Sequence, residues 1–151
     1  MERFIERLAA HSIIGLDTSV FIYHLEAHPV YLPLTQKLLN DVQIGRWEAV
    51  TGAITIMELT VPAWRLGQEA AARQYEALLG NFPHLTIVPV TRDVTRYAAQ
   101  LCARFNTRPA DALQVACSLA KKATAYITND RNLERLHPIV DVVILDDYIT
   151  K

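Results

Sequence analysis

Short, largely apolar runs alternate along this chain with segments of helical periodicity. The runs lack the in–out alternation of a strand that has one face in water, so they indicate strands buried on both faces. The strand candidates are residues 13–16, 48–51, 85–88, 123–127 and 142–145. The helix candidates are residues 2–10, 18–25, 31–44, 54–66, 68–80, 94–105 and 109–120. The pattern predicts an α/β fold with a mainly parallel central sheet covered by helices on both faces.

The length and composition favour one compact domain over residues 1–151, in which residues 1–10 form an N-terminal helical extension. The chain has 151 residues, of which 51% are hydrophobic and 21% charged, a balance typical of a globular protein with a substantial core. No run of eighteen uncharged apolar residues occurs, and the charged N-terminus has no apolar signal-peptide segment. We therefore expect a cytoplasmic protein without a membrane span.

Cysteines and aromatic residues are few, and their positions allow limited interpretation. Cys102 and Cys117 each lie inside an apolar helical pattern, which predicts buried free thiols rather than a disulfide or a metal site. Trp47, Trp64 and Tyr75 surround the helical segment after the second strand. Aromatic residues anchor interfaces and these three could form a partner surface, but core packing is favoured for at least one of the tryptophans.

Four acidic residues lie where an open α/β sheet binds its ligands. Asp17 directly follows the first predicted strand, and Asp130 follows the fourth. Asp111 lies in the first turn of the helix that Pro109 opens, and Glu58 lies one to two turns into the helix after the second strand. Because ligands bind at the carboxyl ends of parallel strands, these acids are expected to converge at one edge of the sheet.

Clustered carboxylates need a counter-charge. Carboxylates a few ångströms apart repel each other and raise one another's pKa, and a divalent cation removes that cost. Oxygen ligands favour Mg²⁺ or Mn²⁺ over zinc. One or two such ions can orient a water molecule and stabilise the charge that develops on a phosphate during hydrolysis.

Each acid taken alone also has a purely structural explanation. Asp17 can cap the helix that follows it, and Asp111 can be a first-turn acid that complements the helix dipole. Asp130 can be a turn residue, and Glu58 can be a solvated helix position. That explanation is weakest for Glu58, because its neighbours in sequence are apolar.

Four segments of the chain resemble, in order and in spacing, the motifs of PIN domains, as found in VapC-type toxins. The first ends its apolar run in Asp-Thr-Ser, and the second contains a Glu-Leu pair. The third has an Asp followed by a helix of small residues, and the fourth has Thr-Asn-Asp. The segments are residues 13–22, 51–59, 109–116 and 126–133.

The resemblance implies a three-layer α/β/α fold of the PIN type and metal-dependent hydrolysis of RNA, usually single-stranded. It implies metal binding and catalysis by four acids: Asp17, Glu58, Asp111 and Asp130. Thr18 or Ser19, together with Thr128, would support that site by hydrogen bonds. Many VapC-type members have Asn where Asp130 stands and an Asp three residues later, where this chain has Leu133. Asp130 is therefore expected to be a second-rank ligand.

The resulting hypothesis is a Mg²⁺- or Mn²⁺-dependent endoribonuclease, the toxin of a type II toxin–antitoxin pair, with an antitoxin partner and a homodimeric assembly. One alternative is an RNA-processing PIN nuclease without an antitoxin. Another is a catalytically silent PIN scaffold that binds RNA or protein, against which the four intact acids argue. The net charge of −1 is unusual for a protein that binds nucleic acid, but bound cations would offset it.

Overall fold

The central sheet has five strands. The structure, a computed structural model, describes residues 1–149; Thr150 and Lys151, the last residues of the expected domain, lie outside the described part. The strands are β1 (Ile13–Leu16), β2 (Glu48–Gly52), β3 (Leu85–Val88), β4 (Ala125–Thr128) and β5 (Asp141–Ile144). They lie in the order β3-β2-β1-β4-β5, and each of these neighbouring pairs is parallel. The predicted α/β class with a mainly parallel sheet is confirmed.

Helices connect the strands. The α-helices are α1 (Glu2–Leu8), α2 (Thr18–Leu25), α3 (Leu32–Gln43), α4 (Ile54–Arg65), α5 (Glu69–Gly80), α6 (Arg92–Phe105) and α7 (Pro109–Ala120). Two 3₁₀ helices, Arg131–Leu136 and Leu145–Tyr148, were not predicted, because short 3₁₀ segments have no distinctive periodicity. Because the second 3₁₀ helix begins at Leu145, the last strand ends at Ile144 rather than residue 145. Strand β4 begins at Ala125 rather than residue 123.

Two hydrophobic cores lie on opposite faces of the sheet, which gives three layers. One core contains Phe4 and Leu8 of α1, so the N-terminal helix packs into the body of the protein. The other core contains Val115 and Ala116 of α7, packed with Tyr126 of β4. Because both faces of the sheet are covered, its strands need no polar alternation, as the sequence pattern indicated.

Strand β1 lies at the centre of the sheet, between β2 and β4. The chain reverses its direction of strand addition at this point: it goes from β1 to β2 and β3 on one side, and then to β4 and β5 on the other. Such a switch point opens a crevice at the carboxyl ends of the central strands. Asp17 stands at this crevice, directly after β1.

Two glycines allow α7 to lie close against the sheet. A Cβ atom on Gly15 would lie 2.5 Å from Ser118 Oγ and 2.8 Å from a ring carbon of Tyr126. A Cβ atom on Gly52 would lie 2.6 Å from Gln114 Oε1. Because these glycines have no side chain, α7 can pack this close to the sheet, which in turn places Asp111.

The cysteines and tryptophans lie in different environments. Cys117 is buried and Cys102 half-buried, and both are free thiols. Trp47 belongs to the core, where its Nε1 donates to Leu8 O at 3.2 Å, whereas Trp64 is 49% exposed. Within residues 1–149, no helix is both long and apolar enough to cross a membrane.

Candidate active site

All four predicted acids lie at the carboxyl edge of the sheet. Asp17 follows β1 and Asp130 follows β4, while Glu58 and Asp111 lie in the second turn of α4 and the first turn of α7. The negative charges of Glu58 and Asp111 each interact with Asp17, and that of Asp130 interacts with Asp111. Four segments that are distant in sequence therefore meet at one acidic edge, which is the convergence expected from the motifs.

Asp17 is the most constrained of the four acids. It is the N-cap of α2, and its Oδ1 accepts a 2.8 Å hydrogen bond from the Thr18 backbone N–H. Its Oδ2 accepts a 2.6 Å hydrogen bond from the Thr128 hydroxyl. Burial raises the pKa of Asp17, whereas these two hydrogen bonds lower it and the charge of Glu58 raises it further. Asp17 therefore has the capping role given above as its structural explanation, and the same hydrogen bonds fix the orientation of its carboxylate.

Glu58 is held by a polar network beneath the edge. The Thr18 hydroxyl donates to Glu58 Oε1 at 3.3 Å and accepts from Gln114 Nε2 at 3.0 Å. Gln114 Nε2 also donates to Thr55 Oγ1 at 2.8 Å, and Gln114 Oε1 accepts from the Gly52 backbone N–H at 3.0 Å. This network joins β2, α2, α4 and α7, while Glu58 itself remains exposed.

Asp111 and Asp130 share a cation, Arg108. Its guanidinium lies 3.8 Å from Asp111 Oδ2 and 3.9 Å from Asp130 Oδ2, and it is 74% exposed. Burial raises the pKa of Asp111, the charges of Asp17 and Asp130 raise it further, and Arg108 lowers it. Both contacts are longer than a hydrogen bond, so Arg108 offsets the acidic charge only weakly.

Asp130 also has a structural role. Its Oδ1 accepts a 2.9 Å hydrogen bond from the Asn132 backbone N–H and caps the first 3₁₀ helix. Its own backbone N–H donates to the Thr128 hydroxyl at 3.1 Å. One of its oxygens is therefore engaged locally, and the other faces Arg108. The second-rank role in metal binding expected for Asp130 remains a prediction.

The three predicted supporting residues differ in their contacts. Thr18 and Thr128 both hydrogen-bond to acids of the edge. Ser19 does not: its hydroxyl is buried and has no hydrogen-bond partner among the described residues. Of the two residues offered for the first supporting position, the contacts therefore favour Thr18.

Sequence reasoning missed Gln114 and Tyr126. Gln114 stands three residues after Asp111 in an otherwise apolar helical segment, and a polar residue there was an available signal. Tyr126 is fully buried, and its hydroxyl lies near the Asp17 carboxylate but makes no hydrogen bond of ordinary geometry within the described residues. Burial and the charges of Asp17, Asp111 and Glu58 raise its pKa well above the ordinary value, so it stays neutral. The sequence held no signal for that position beyond a tyrosine in a strand.

The donor set fits a hard divalent cation in its chemistry. It consists of carboxylate and hydroxyl oxygens, and two of its acids have pKa values raised by burial and by mutual repulsion. Within residues 1–149, no three His, Cys, Asp or Glu side chains are close enough to hold one ion as they stand. Binding through three acids would therefore require side-chain rotation.

Comparison with known proteins agrees with this fold. The family model described as PIN domain matches residues 14–137. This chain therefore belongs to the PIN-domain family, whose nucleases are generally hydrolytic and generally depend on divalent metal ions. Among curated proteins, none matches significantly in sequence.

Three solved structures share the fold at low sequence identity. A toxin–antitoxin complex from Klebsiella pneumoniae has a TM-score of 0.64 at 19% identity, covering 87% of this chain and 97% of that one. VapBC2 from Rickettsia felis, bound to a DNA fragment from its promoter, has a TM-score of 0.64 at 17% identity, with coverages of 87% and 98%. DNA-bound VapBC from Salmonella typhimurium has a TM-score of 0.60 at 19% identity, with coverages of 89% and 98%.

Proposed function

We propose that this chain is a Mg²⁺- or Mn²⁺-dependent endoribonuclease and the toxin of a type II toxin–antitoxin pair. The observation that carries the proposal is the convergence of Asp17, Glu58, Asp111 and Asp130 on one edge of the sheet, in a chain of the PIN family. Their mutual repulsion would be costly in a protein that used them only for structure.

In this proposal Asp17, Glu58 and Asp111 hold the metal, with Asp130 as a fourth, weaker ligand. A bound divalent ion supplies charge for the scissile phosphate and lowers the pKa of water. The hydrogen bonds from Thr18 and Thr128 orient Asp17 toward that position. Gln114 positions Glu58 through the Thr18 hydroxyl.

A nucleic-acid substrate, which the family resemblance specifies as RNA, is supported by the arginine at the acidic edge. The exposed guanidinium of Arg108 stands beside two of the acids and suits a phosphate by its planar, bidentate geometry. Once a divalent ion neutralises the carboxylates, Arg108 would be free to contact the RNA backbone.

An antitoxin partner is supported by an apolar groove next to Glu58. The groove lies between α2 and the α4–α5 pair, and it is lined in part by Ile22, Leu25, Leu59, Pro62 and Leu66. Leu25 is 38% exposed and Leu66 is 73% exposed. Glu58 itself belongs to the lining, so an amphipathic peptide seated there would cover the acidic edge.

The proposed homodimer would place a second apolar surface between two copies. Leu78 of α5 is 55% exposed and lines a groove with Ala77, Phe82 and Pro83, beside Gln43 at the end of α3. Light scattering of the purified protein measures the oligomeric state. A dimer that Leu78→Asp converts to a monomer would support this surface, and a wild-type monomer would contradict it.

The nuclease assignment is tested by cleavage of labelled single-stranded RNA with Mg²⁺, Mn²⁺ or EDTA. Wild type is expected to cleave only with metal, and Asp17→Asn and Asp111→Asn are expected to lose about a hundred- to a thousandfold in rate while remaining folded. Asp93→Asn, which alters an exposed acid on α6, is the matched control. An unchanged rate in Asp17→Asn or Asp111→Asn would overturn the assignment. RNA binding without cleavage would favour the silent scaffold, and cleavage unaffected by any co-encoded small protein would favour a processing nuclease.

A further inference from the structure

A small cavity adjoins the acidic edge on the side of α7. It has a volume of about 210 Å³ and lies between the α6–α7 loop and the first 3₁₀ helix. Asn106, Thr107 and Arg108 line it from the loop, and Asn132 and Arg135 from the 3₁₀ helix. It is much larger than a single water, whose share of liquid volume is about 30 Å³.

The cavity reaches the acidic edge at one acid, Asp111. Asp111 belongs to its lining, and Arg108 both lines it and reaches toward Asp111 and Asp130. A molecule bound in the cavity would therefore neighbour any phosphate that reacts at the acidic edge. In an extended RNA strand, the group next to the scissile phosphate is the adjacent nucleotide.

The lining favours a nucleobase over a free phosphate. Side-chain amides such as those of Asn106 and Asn132 carry both donors and acceptors, as the edges of bases do. The carboxylate of Asp111 disfavours an anion inside the cavity. Leu133 supplies an apolar contact, and the guanidiniums of Arg108 and Arg135 are planar groups of the kind that stack on bases.

Two details indicate a cavity shaped before any ligand arrives. Arg135 Nη1 donates to Asn106 O at 2.9 Å and to Phe105 O at 3.3 Å, which fixes the α6–α7 loop against the 3₁₀ helix. The Thr107 hydroxyl, in the wall of the cavity, is shielded from solvent and has no hydrogen-bond partner among the described residues, so rotation of the Thr107 side chain would bring it to a ligand. A buried hydroxyl without a partner carries a desolvation cost that a ligand can remove.

We infer that this cavity binds one unpaired nucleobase of the RNA, adjacent to the scissile phosphate, and so contributes to sequence preference. The inference rests on the proposed ribonuclease function. Thr107 and Asn132 supply hydrogen bonds to the base edge, and Arg108 contacts the phosphate that links this base to the reacting group.

The test uses four single-stranded RNA substrates that differ in the base at the cleavage site, in Mn²⁺, with wild type, Thr107→Val and Asn132→Ala. The cavity variants are expected to raise KM about fivefold for the preferred base, the value of one hydrogen bond, with little change in kcat. They should also reduce the difference between bases. Thr86→Val and Asn40→Ala, at exposed positions on β3 and α3, should leave both quantities unchanged.

A second arm separates this inference from the nuclease assignment. AMP, GMP, CMP, UMP and inorganic phosphate are each titrated into ¹⁵N-labelled wild-type protein, and amide shifts are followed by NMR. Base-dependent shifts confined to residues 106–111 and 132–135, reduced in Thr107→Val, are the expected result.

If wild type cleaves RNA but the cavity variants keep its KM and base preference, the inference is wrong and the nuclease assignment stands. If no RNA is cleaved, the nuclease assignment fails, and the mononucleotide shifts still decide whether the cavity binds a base. Equal shifts with all four mononucleotides and phosphate, or none at these residues, overturn the inference.

Discussion

The Thr128 hydroxyl donates a 2.6 Å hydrogen bond to Asp17 Oδ2 and thereby joins the ends of β4 and β1. The same hydroxyl accepts from the Asp130 backbone N–H at 3.1 Å. One threonine thus links two of the four acids. It lies next to Asp17 because β1 pairs with β4, with Leu16 opposite Ile127. The acidic edge is therefore held together by residues that are not acids.

Replacing Thr128 by Val should alter both stability and pH dependence. The variant leaves Asp17 Oδ2 without its donor, which should lower the free energy of unfolding by about 1–3 kcal/mol. Because the Thr128 hydrogen bond lowers the pKa of Asp17, its loss should move the acidic limb of the activity profile to higher pH. Denaturant titration and a pH–rate profile measure the two effects. Thr128→Ser should retain the wild-type profile, and an unshifted limb in Thr128→Val would contradict the assigned contact.

Asp111→Asn should stabilise the metal-free protein at neutral pH. The pKa of Asp111 is raised in the folded state, so the folded protein binds more protons than the unfolded chain between the unfolded value, about 3.9, and the raised one. The stability of wild type therefore falls as pH rises through that window and remains lower above it. Melting temperatures in EDTA should be higher for the variant at pH 7.5, with the difference shrinking toward pH 3.5. Added Mn²⁺ should stabilise wild type more than the variant; a lower melting temperature for Asp111→Asn in EDTA at pH 7.5 would argue against this account.

Two substitutions of Asp130 should separate its charge from its capping role. Asp130→Asn keeps an oxygen that can accept from the Asn132 N–H, so its stability should change little. Asp130→Ala removes the cap and should cost about 1 kcal/mol. Both should weaken Mn²⁺ binding by about tenfold or less, which is a smaller effect than in Asp17→Asn. Calorimetric metal titration checks this, and an equal loss of affinity in Asp17→Asn and Asp130→Asn would make Asp130 a principal ligand.

Gly15→Ala should destabilise the protein by about 1–3 kcal/mol, as overpacking in a core does. The new Cβ would meet Ser118 Oγ at 2.5 Å and the Tyr126 ring at 2.8 Å, so α7 would have to move outward. Because α7 carries Asp111, activity should fall as well. Gly80→Ala is the control: its Cβ would meet nothing within 4 Å, and alanine is favoured in helices. Equal stability of the two variants would mean that α7 is not held at the depth described.

The positions of the four acids at the sheet edge and most bounds of the helices and strands were predictable, because the sequence features that indicate them are local. Asp17 stands at the end of an apolar run, and Pro109 opens the helix that places Asp111 in its first turn. The 3₁₀ helix after Asp130 was not predictable from periodicity. Its formation brings Asn132 and Arg135 to the cavity beside Asp111.

The amino-acid sequence by itself determined the alternation of strands and helices, the residue types at the strand ends and their family resemblance. These depend on side-chain periodicity and on residues adjacent in the chain. Only the tertiary structure decided that Gln114 bonds to Thr18 and Gly52, that Arg108 lies between Asp111 and Asp130, and that a cavity opens beside them. Those relationships depend on strand order and on how closely α7 packs against the sheet. Both are set by contacts between residues that are far apart in the chain: Gly52 and Gln114, for example, are more than sixty residues apart.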